Sequence, residues 1–184
     1  VLSGRITVGE RDVYIFSTHW YESEFAGGPQ LRNLVDRFEE GGISSEMLLA
    51  RVQDAMNGHE TRAKEAVDTL AYIDEVSSGS AAIIMGTLGA LPGSQEIHII
   101  EEADFMDVWK DNKDAGYTRD GLVNSNMIEY MSDGENEYAV RARVDYIFHR
   151  GEGLRTVISR NVLNEATYET HPSDHFGVLA EIDF

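Results

Sequence analysis

The 184-residue chain is predicted to form one domain, residues 1–184, with an α+β fold. Three observations support this prediction. Short apolar runs typical of strands lie towards both ends of the chain, apolar residues at helical spacing fill much of residues 31–76, and no internal repeat or linker divides the sequence. A chain of this length is also long enough to bury a sizeable core.

The first two strands are expected at residues 5–8 and 13–18, on either side of the turn-like segment 9–12, and so predict a hairpin. The second strand runs into His19 at its end. A histidine at a strand end is more often a surface residue than a functional one, so its position alone does not assign a role.

Helices are expected next. Pro29 suits the first turn of a helix whose apolar residues recur over 31–38, and Ser44 is a candidate N-cap for a second helix. We predict a break in that second helix at residues 57–58, an Asn-Gly pair. Helical spacing then resumes over residues 63–76.

A continuous apolar run at residues 81–85 predicts a strand buried on both faces. The loop 86–94 follows and contains three glycines. Residues 103–109 have a helical pattern. Later strands are expected at residues 140–148, 157–162 and 176–184.

The charge of the chain is extreme, since 33 acidic residues oppose 15 basic ones and the net charge is −18. This pattern resembles proteins of extreme halophiles, in which salt screens the self-repulsion; an acidic mimic of nucleic acid is the alternative. Such a field argues against tight binding to long duplex DNA.

The sequence has no cysteine, which excludes disulfides and thiolate chemistry. It contains no apolar run of membrane-spanning length, and its first residues lack the features of a secretory leader. We therefore expect a soluble, cytoplasmic protein.

Two segments place an acid at the edge of an apolar run. Asp145 lies within residues 143–148, and Asp174 with His175 precedes the last strand. Acids and a histidine at strand ends suit metal-assisted attack on a phosphate ester. For each acid taken alone, an exposed strand-end position without a function is the alternative.

Residues 143–148 and 173–176 together resemble the C-terminal signature of the endonuclease/exonuclease/phosphatase superfamily. This superfamily includes pancreatic-type deoxyribonucleases, apurinic-site endonucleases, sphingomyelinases and inositol-polyphosphate phosphatases. Further segments match in the same order along the chain: Thr18 with His19, residues 62–73, residues 82–94, residues 107–109 and Thr118. The resemblance implies a four-layer α/β/β/α sandwich of the deoxyribonuclease-like type.

The resemblance also implies hydrolysis of a phosphate ester with the help of Mg²⁺ or Mn²⁺. In it, Asp174 would orient His175 and is the one candidate metal ligand. His175 would hydrogen-bond the phosphate, and His19 would steady the phosphoryl oxygens. Asp145 would lie at the same site.

Two positions depart from the superfamily pattern. Thr87 and Gly89 stand where the Gly-Asp-Phe-Asn motif has its aspartate and asparagine. Because one such group contributes roughly 3–4 kcal/mol, losing both is expected to impair catalysis severely. Glu96 is a candidate for a substitute acid.

The superfamily's opening asparagine and its metal-binding glutamate have no counterpart before Thr18. We therefore expect an N-terminal part that is missing from this sequence or supplied by another chain. The pseudo-twofold symmetry of the fold suggests that two copies rebuild the sandwich as a homodimer.

The expected function is that of a divalent-metal-dependent phosphoesterase, either a phosphodiesterase or nuclease or else a phosphatase, with impaired activity. The alternative is a catalytically silent member that acts as a binding or assembly module. The substrate is not predicted. Its specificity is expected in loops 20–29 and 111–127, whose acidic character disfavours long DNA.

Overall fold

A computed structural model describes residues 1–22, 28–127 and 141–184. Within these ranges the chain forms seven strands and three helices. In order they are β1 Leu2–Val8, β2 Arg11–His19, α1 Gly28–Glu39, α2 Ser45–Ser77, β3 Ala81–Thr87, α3 Gln95–Glu102, β4 Met106–Asp107, β5 Asp145–Arg150, β6 Arg155–Val162 and β7 Gly177–Asp183.

The strands form a five-stranded sheet in the order β1-β2-β3-β5-β4 and a separate two-stranded ribbon of β6 and β7. Strands β2 and β3 are parallel, and the crossover connection that parallel pairing requires runs through α1 and α2. The other neighbouring strands are antiparallel. The hairpin predicted from residues 5–8 and 13–18 is therefore present as β1 and β2. The strands predicted at residues 157–162 and 176–184 are present as β6 and β7, which pair with each other.

Helix α2 covers one face of the main sheet because alternate residues of β2 present large aromatic side chains to it. The Phe16 ring meets the Tyr72 ring edge-on at 6.0 Å between centroids, and Trp20 Nε1 donates to Thr69 Oγ1 at 3.2 Å. Apolar residues of β3, α3 and β5 complete this core.

The ribbon lies on the opposite face of the main sheet. His149 points away from the helix-side core, and its Nε2 lies 3.0 Å from Thr156 Oγ1 of β6. The described residues therefore form a helical layer, a mixed sheet and a second small sheet, which confirms the predicted α+β class.

The predicted break at residues 57–58 is wrong, since α2 runs without interruption from Ser45 to Ser77. A glycine inside a helix costs only about 1 kcal/mol relative to alanine, and Gly58 is buried. Packing therefore outweighs the local preference. Ser44 is the N-cap as predicted, and its Oγ accepts a hydrogen bond from the Met47 amide at 3.2 Å.

The predicted helix at residues 103–109 is also wrong. Helix α3 ends at Glu102, Asp104 adopts a positive φ of 64°, and residues 106–107 form β4. A left-handed residue stops the helix, and the chain then turns onto the edge of the sheet.

The strand predicted at residues 140–148 begins later, at Asp145, and extends to Arg150; Val140 lies outside the described residues. Val144 does not join the strand because its amide donates to the Thr118 side chain at 3.1 Å. No helix within the described ranges has the length and apolar character needed to cross a membrane.

Candidate active site

One edge of the main sheet brings three of the predicted residues into a row. His19 ends β2, Thr87 ends β3 and Asp145 begins β5. The strand register pairs His19 with Thr87, and Thr87 with Asp145. Directly paired residues share one face of a sheet at about 5 Å between Cα atoms. The row lies on the face away from α2, since the next residue along β5, Tyr146, is buried in the helix-side core.

His175 reaches this row from the loop before β7. Its Nδ1 lies 2.8 Å from Asp145 Oδ2, and the side chains of His175 and Asp145 are only 18% and 17% exposed. The expectation that Asp174 orients His175 is therefore wrong. Asp174 is exposed, and its Oδ1 accepts a hydrogen bond from Ser173 Oγ at 3.1 Å. The imidazole turns inward to the strand, whereas the adjacent carboxylate points to solvent.

The pKa values of the pair move in opposite directions. Burial lowers the pKa of His175, but the hydrogen bond and charge of Asp145 offset this effect, and the pKa ends above its ordinary value. Burial raises the pKa of Asp145, while His175, Thr118 and Thr87 together bring it below its ordinary value. Both pKa shifts favour the form in which His175 is an imidazolium and Asp145 a carboxylate.

The other oxygen of Asp145 is bound to Thr87. Thr87 Oγ1 donates to Asp145 Oδ1 at 2.6 Å, so the hydroxyl adds a neutral hydrogen bond to the pair where the superfamily pattern has a carboxylate. A threonine hydroxyl is not a base near neutral pH. Thr87 thus supports Asp145 and does not replace the missing acid.

Gly89 lies in the loop after β3, where neighbouring backbone atoms leave no room for a side chain. Its φ is 60°, and a Cβ atom built there would be 2.9 Å from the carbonyl oxygen of Tyr21. That separation is too short for a van der Waals contact, so this position accommodates only a glycine unless the backbone shifts. An asparagine side chain does not fit at this position without a shift of the backbone.

Two residues of the segment 118–127 hold the loop that carries His175. The Phe176 amide donates to the Thr118 carbonyl at 2.7 Å, and the Asp145 amide donates to Thr118 Oγ1 at 3.2 Å. Fully buried Asn124 donates through Nδ2 to the carbonyls of Ser173 and Asp174, at 3.0 and 3.1 Å. Sequence reasoning matched Thr118 to the superfamily but missed Asn124, which no local pattern marks.

His171 is a second anchor of the same loop. Its Nδ1 lies 3.0 Å from Ser125 Oγ, and its backbone amide donates to that hydroxyl at 2.8 Å. Asn126 Nδ2 donates to the His171 carbonyl at 2.9 Å. Together with Asn124, these bonds fix the backbone just before His175, so the imidazole is placed before any ligand arrives.

Glu96 does not serve as a substitute acid at this edge. Its side chain is fully buried beneath α2, where Oε1 accepts from Arg62 Nε at 3.0 Å and lies 2.8 Å from His59 Nδ1. Burial raises the pKa of Glu96, but its own backbone amide and His59 outweigh this effect and leave the pKa low. This carboxylate therefore holds a helix to the core and does not face the row.

His19 shares the edge with Thr87 but makes no contact with the His175–Asp145 pair within the described residues. Its side chain is 69% exposed, and Glu22 Oε1 lies 4.0 Å from its Nε2. The structure therefore leaves His19 at the rim of the site, available to a ligand.

The described ranges contain no group of three or more acids or histidines that could hold a metal ion. Asp145 is engaged by His175 and Thr87, which leaves the exposed Asp174 as the one predicted carboxylate ligand. Mg²⁺ is usually held by one or two carboxylates, while waters and substrate phosphates fill the rest of its octahedral shell. Asp174 would therefore be at most one ligand of such an ion, and the described residues place no cluster of ligands around it.

A cleft of about 490 Å³ lies on the helix side of the segment before β5. The buried pair of Arg143 and Asp107, at 2.7 Å, lies in its lining together with Trp109 and Tyr117. Arg143 thus pairs with an acid inside this lining. None of His19, Asp145 and His175 lines this cleft.

No protein-family model matches the chain, and no curated protein matches it. Solved structures do. Zebrafish (D. rerio) TDP2, crystallised with a single-stranded DNA product, is 17% identical with a TM-score of 0.65, over 99% of this chain and 60% of its own. Staphylococcus aureus beta toxin is 15% identical with a TM-score of 0.62, over 97% of this chain and 55% of its own.

An endonuclease/exonuclease/phosphatase from Bacteroides vulgatus is 18% identical with a TM-score of 0.51, over 68% of this chain and 45% of its own. The chain thus spans about three fifths or less of the length of these structures. Their likeness establishes an endonuclease/exonuclease/phosphatase-like fold, as the sequence resemblance predicted.

Proposed function

We propose that the chain carries the acid–base part of a divalent-metal-dependent phosphoesterase site and acts in hydrolysis of a phosphate ester. The observation that carries the proposal is the 2.8 Å contact between His175 Nδ1 and Asp145 Oδ2 at the edge of a sheet of this fold. Such a pair is a general acid–base device, and its placement at strand ends leaves it open to a ligand.

The geometry supports a definite role for each atom. Asp145 binds Nδ1–H and so fixes the tautomer, and within the described residues Nε2 of His175 has no hydrogen-bond partner. In the imidazolium form that Asp145 favours, Nε2–H is then free to donate to a phosphoryl or leaving-group oxygen. His19, exposed at the same edge, would add a second imidazole donor to the phosphate.

The metal that the family resemblance implies is Mg²⁺ or Mn²⁺, and it would neutralise phosphate charge. Asp174 would be its one ligand from the described residues, and the remaining ligands would have to come from elsewhere. The activity of the 184-residue chain alone is accordingly proposed to be weak.

Hydrolysis of bis(p-nitrophenyl) phosphate and of plasmid DNA, with Mg²⁺ or Mn²⁺ in molar salt, tests the proposal. We expect slow hydrolysis that His175→Ala abolishes. The matched control is His98→Ala, which removes an exposed histidine paired with Glu101 on α3. Hydrolysis that survives His175→Ala unchanged would contradict the proposal.

A second function has its own observation in its favour. Because Thr87 binds Asp145 where a catalytic carboxylate is expected, a catalytically silent member acting as a binding or assembly module is the alternative. This alternative predicts that phosphate binds while no metal supports hydrolysis.

The partners we propose follow from charge and from an uncovered sheet face. A net charge of −18 disfavours long duplex DNA and suits a cytoplasm of high salt, so the substrate would be a smaller phosphate ester.

Apolar residues of β1 are exposed: Leu2 at 79%, Ile6 at 45% and Val8 at 45%. We propose that this domain of residues 1–184 pairs sheet-on-sheet with a second copy. Light scattering after size exclusion in high salt tests it, and a folded monomer would rule it out.

A further inference from the structure

The backbone of Arg119 belongs to the segment that positions the His175–Asp145 pair. Its amide donates to the Ala142 carbonyl and its carbonyl accepts from the Ala142 amide, both at 2.9 Å. The preceding residue, Thr118, binds the amides of both Asp145 and Phe176. Arg119 is therefore fixed beside the pair by the same segment that positions it.

The side chain of Arg119 differs from those of three other arginines that are buried or half-buried. Arg62, Arg143 and Arg150 each hold a carboxylate, on Glu96, Asp107 and Asp74. Arg119 makes no side-chain hydrogen bond or ion pair with any described residue, and its Nε is buried without a partner. A buried N–H that no described residue satisfies is a donor that a ligand can use.

The segment that carries Arg119 is bonded to the loop of the proposed catalytic histidine, since the Thr118 carbonyl accepts from the amide of Phe176, the residue after His175, at 2.7 Å. A guanidinium presents several N–H donors in a planar fork that matches the oxygens of a phosphate. The position therefore has the right charge, the right donors and an unsatisfied N–H.

The same edge lacks phosphate-binding groups at two places. Thr87 gives its hydroxyl hydrogen to Asp145, and Gly89 has no side chain and no room for one. A phosphate bound at Nε2 of His175 would thus lack side-chain donors from Thr87 and Gly89. Arg119 lies on a different segment, whose backbone is bonded to Ala142 and, through Thr118, to Phe176 of the His175 loop.

We infer that Arg119 is a ligand of the phosphoryl oxygens and supplies the donors that Thr87 and Gly89 do not. The inference rests on the proposed function, because it assumes that the phosphate lies at His175. It assigns a binding role to a residue that none of the sequence motifs marked. It also fixes the chemistry of the ligand as an oxyanion with two adjacent oxygens.

The buried Nε–H gives a direct test. In protein labelled with ¹⁵N-arginine, the Nε–H signal of Arg119 is assigned by its absence in Arg119→Gln, and inorganic phosphate is then added at fixed salt. We expect the Nε–H proton signal to move downfield and to saturate together with phosphate binding measured by calorimetry. A wild-type Nε–H signal that ignores phosphate would overturn the inference, as would a wild-type protein that binds no phosphate.

Variants provide the affinity arm of the test. Arg119→Gln should weaken phosphate binding roughly tenfold or more, the loss expected for one charge-assisted hydrogen bond, and Arg119→Lys should fall between the two. The matched control is Arg155→Gln, whose exposed guanidinium pairs with Asp183 at the far end of the ribbon. Equal phosphate affinity in Arg119→Gln and wild type would overturn the inference. If Arg119→Gln does not fold, Arg119→Lys, which also lacks the Nε–H group, serves both to assign the signal and to measure the loss of affinity.

The outcomes separate this inference from the proposed function. If hydrolysis depends on His175 while Arg119→Gln leaves affinity unchanged, the role of Arg119 is wrong and the proposed function stands. If phosphate moves the Nε–H signal but no metal supports hydrolysis, the phosphate site stands and the proposed activity is wrong.

Discussion

Two carboxylates of this protein each contact a histidine at 2.8 Å, yet their surroundings differ. Glu96 is fully buried between α2 and α3, with Arg62 also fully buried beside it. Asp145 and His175 are partly exposed at a sheet edge, and the imidazole keeps one nitrogen without a partner. The comparison shows that a short acid–histidine contact does not define a site. The carboxylate's position distinguishes the two pairs: Glu96 is fully buried beside Arg62, although His59 is 39% exposed, whereas Asp145 lies at a strand-end edge next to Thr87.

The buried cluster should give the largest effect on stability. Replacing Glu96 by alanine removes the carboxylate that holds the guanidinium of Arg62 in the core. Breaking a buried pair from one side costs roughly 3–5 kcal/mol, because a buried charge is left uncompensated. Urea unfolding in molar salt measures this loss. Asp183→Ala, which removes an exposed acid, is the control and should cost less than about 1 kcal/mol. Equal losses in both variants would contradict a structural role for Glu96.

The edge pair should show the reverse pattern. Asp145→Asn keeps the shape of the side chain but removes the charge that holds His175 as a cation. We expect any hydrolysis to fall by roughly 100-fold, a typical contribution of an acid–base group, with a smaller loss of unfolding free energy than Glu96→Ala causes. The check is the rate of ester hydrolysis beside a urea curve on the same sample. A loss of stability without a loss of rate would place this pair in the same class as Glu96.

Gly89→Asn tests whether restoring the asparagine of the superfamily pattern improves the site, and we expect that it does not. Gly89→Asn supplies the amide that the superfamily pattern has, but its Cβ would lie 2.9 Å from a backbone oxygen at a φ of 60°. We expect a loss of roughly 1–3 kcal/mol in stability and no gain in rate. Gly93→Asn, which has a positive φ but open space around it, is the matched control. A faster, equally stable Gly89→Asn variant would contradict this account of the loop.

Salt should produce the smallest effect. With a net charge of −18, the chain should melt several degrees lower at low ionic strength than in molar salt, since screening weakens self-repulsion. Thermal unfolding followed by circular dichroism measures this shift. A melting temperature that does not respond to salt would remove the basis for the halophilic interpretation.

Much of the fold could be predicted from sequence, because alternating strands and helical stripes report which face each residue buries. The row of His19, Thr87 and Asp145 also followed from strand ends and a superfamily pattern. What failed depended on tertiary contacts. Gly58 stays helical because it is packed, and Asp104 turns the chain where a helical pattern continued.

The side-chain partners within the site could not be predicted from sequence, for a different reason. Asp174 is adjacent to His175 in the chain, so it was the natural choice for its partner, but the imidazole turns towards Asp145 across 30 residues. That choice is set by Thr118 and Asn124, which fix the loop backbone. Arg119 could not be found from sequence either, because only the three-dimensional structure shows that its Nε is buried without a partner among the described residues.

The titration of His175 tests the central claim most directly. Its folded pKa is raised, so the stabilisation from the charged pair is present below the ordinary histidine value of about 6.5 and is lost as pH rises through the folded pKa. It is also lost at low pH, as Asp145 is protonated at its lowered pKa. Following the His175 ring proton by NMR in wild type and in Asp145→Asn, we predict a pKa above about 6.5 that falls when the carboxylate is removed. A His175 pKa that is the same in both proteins would contradict the account.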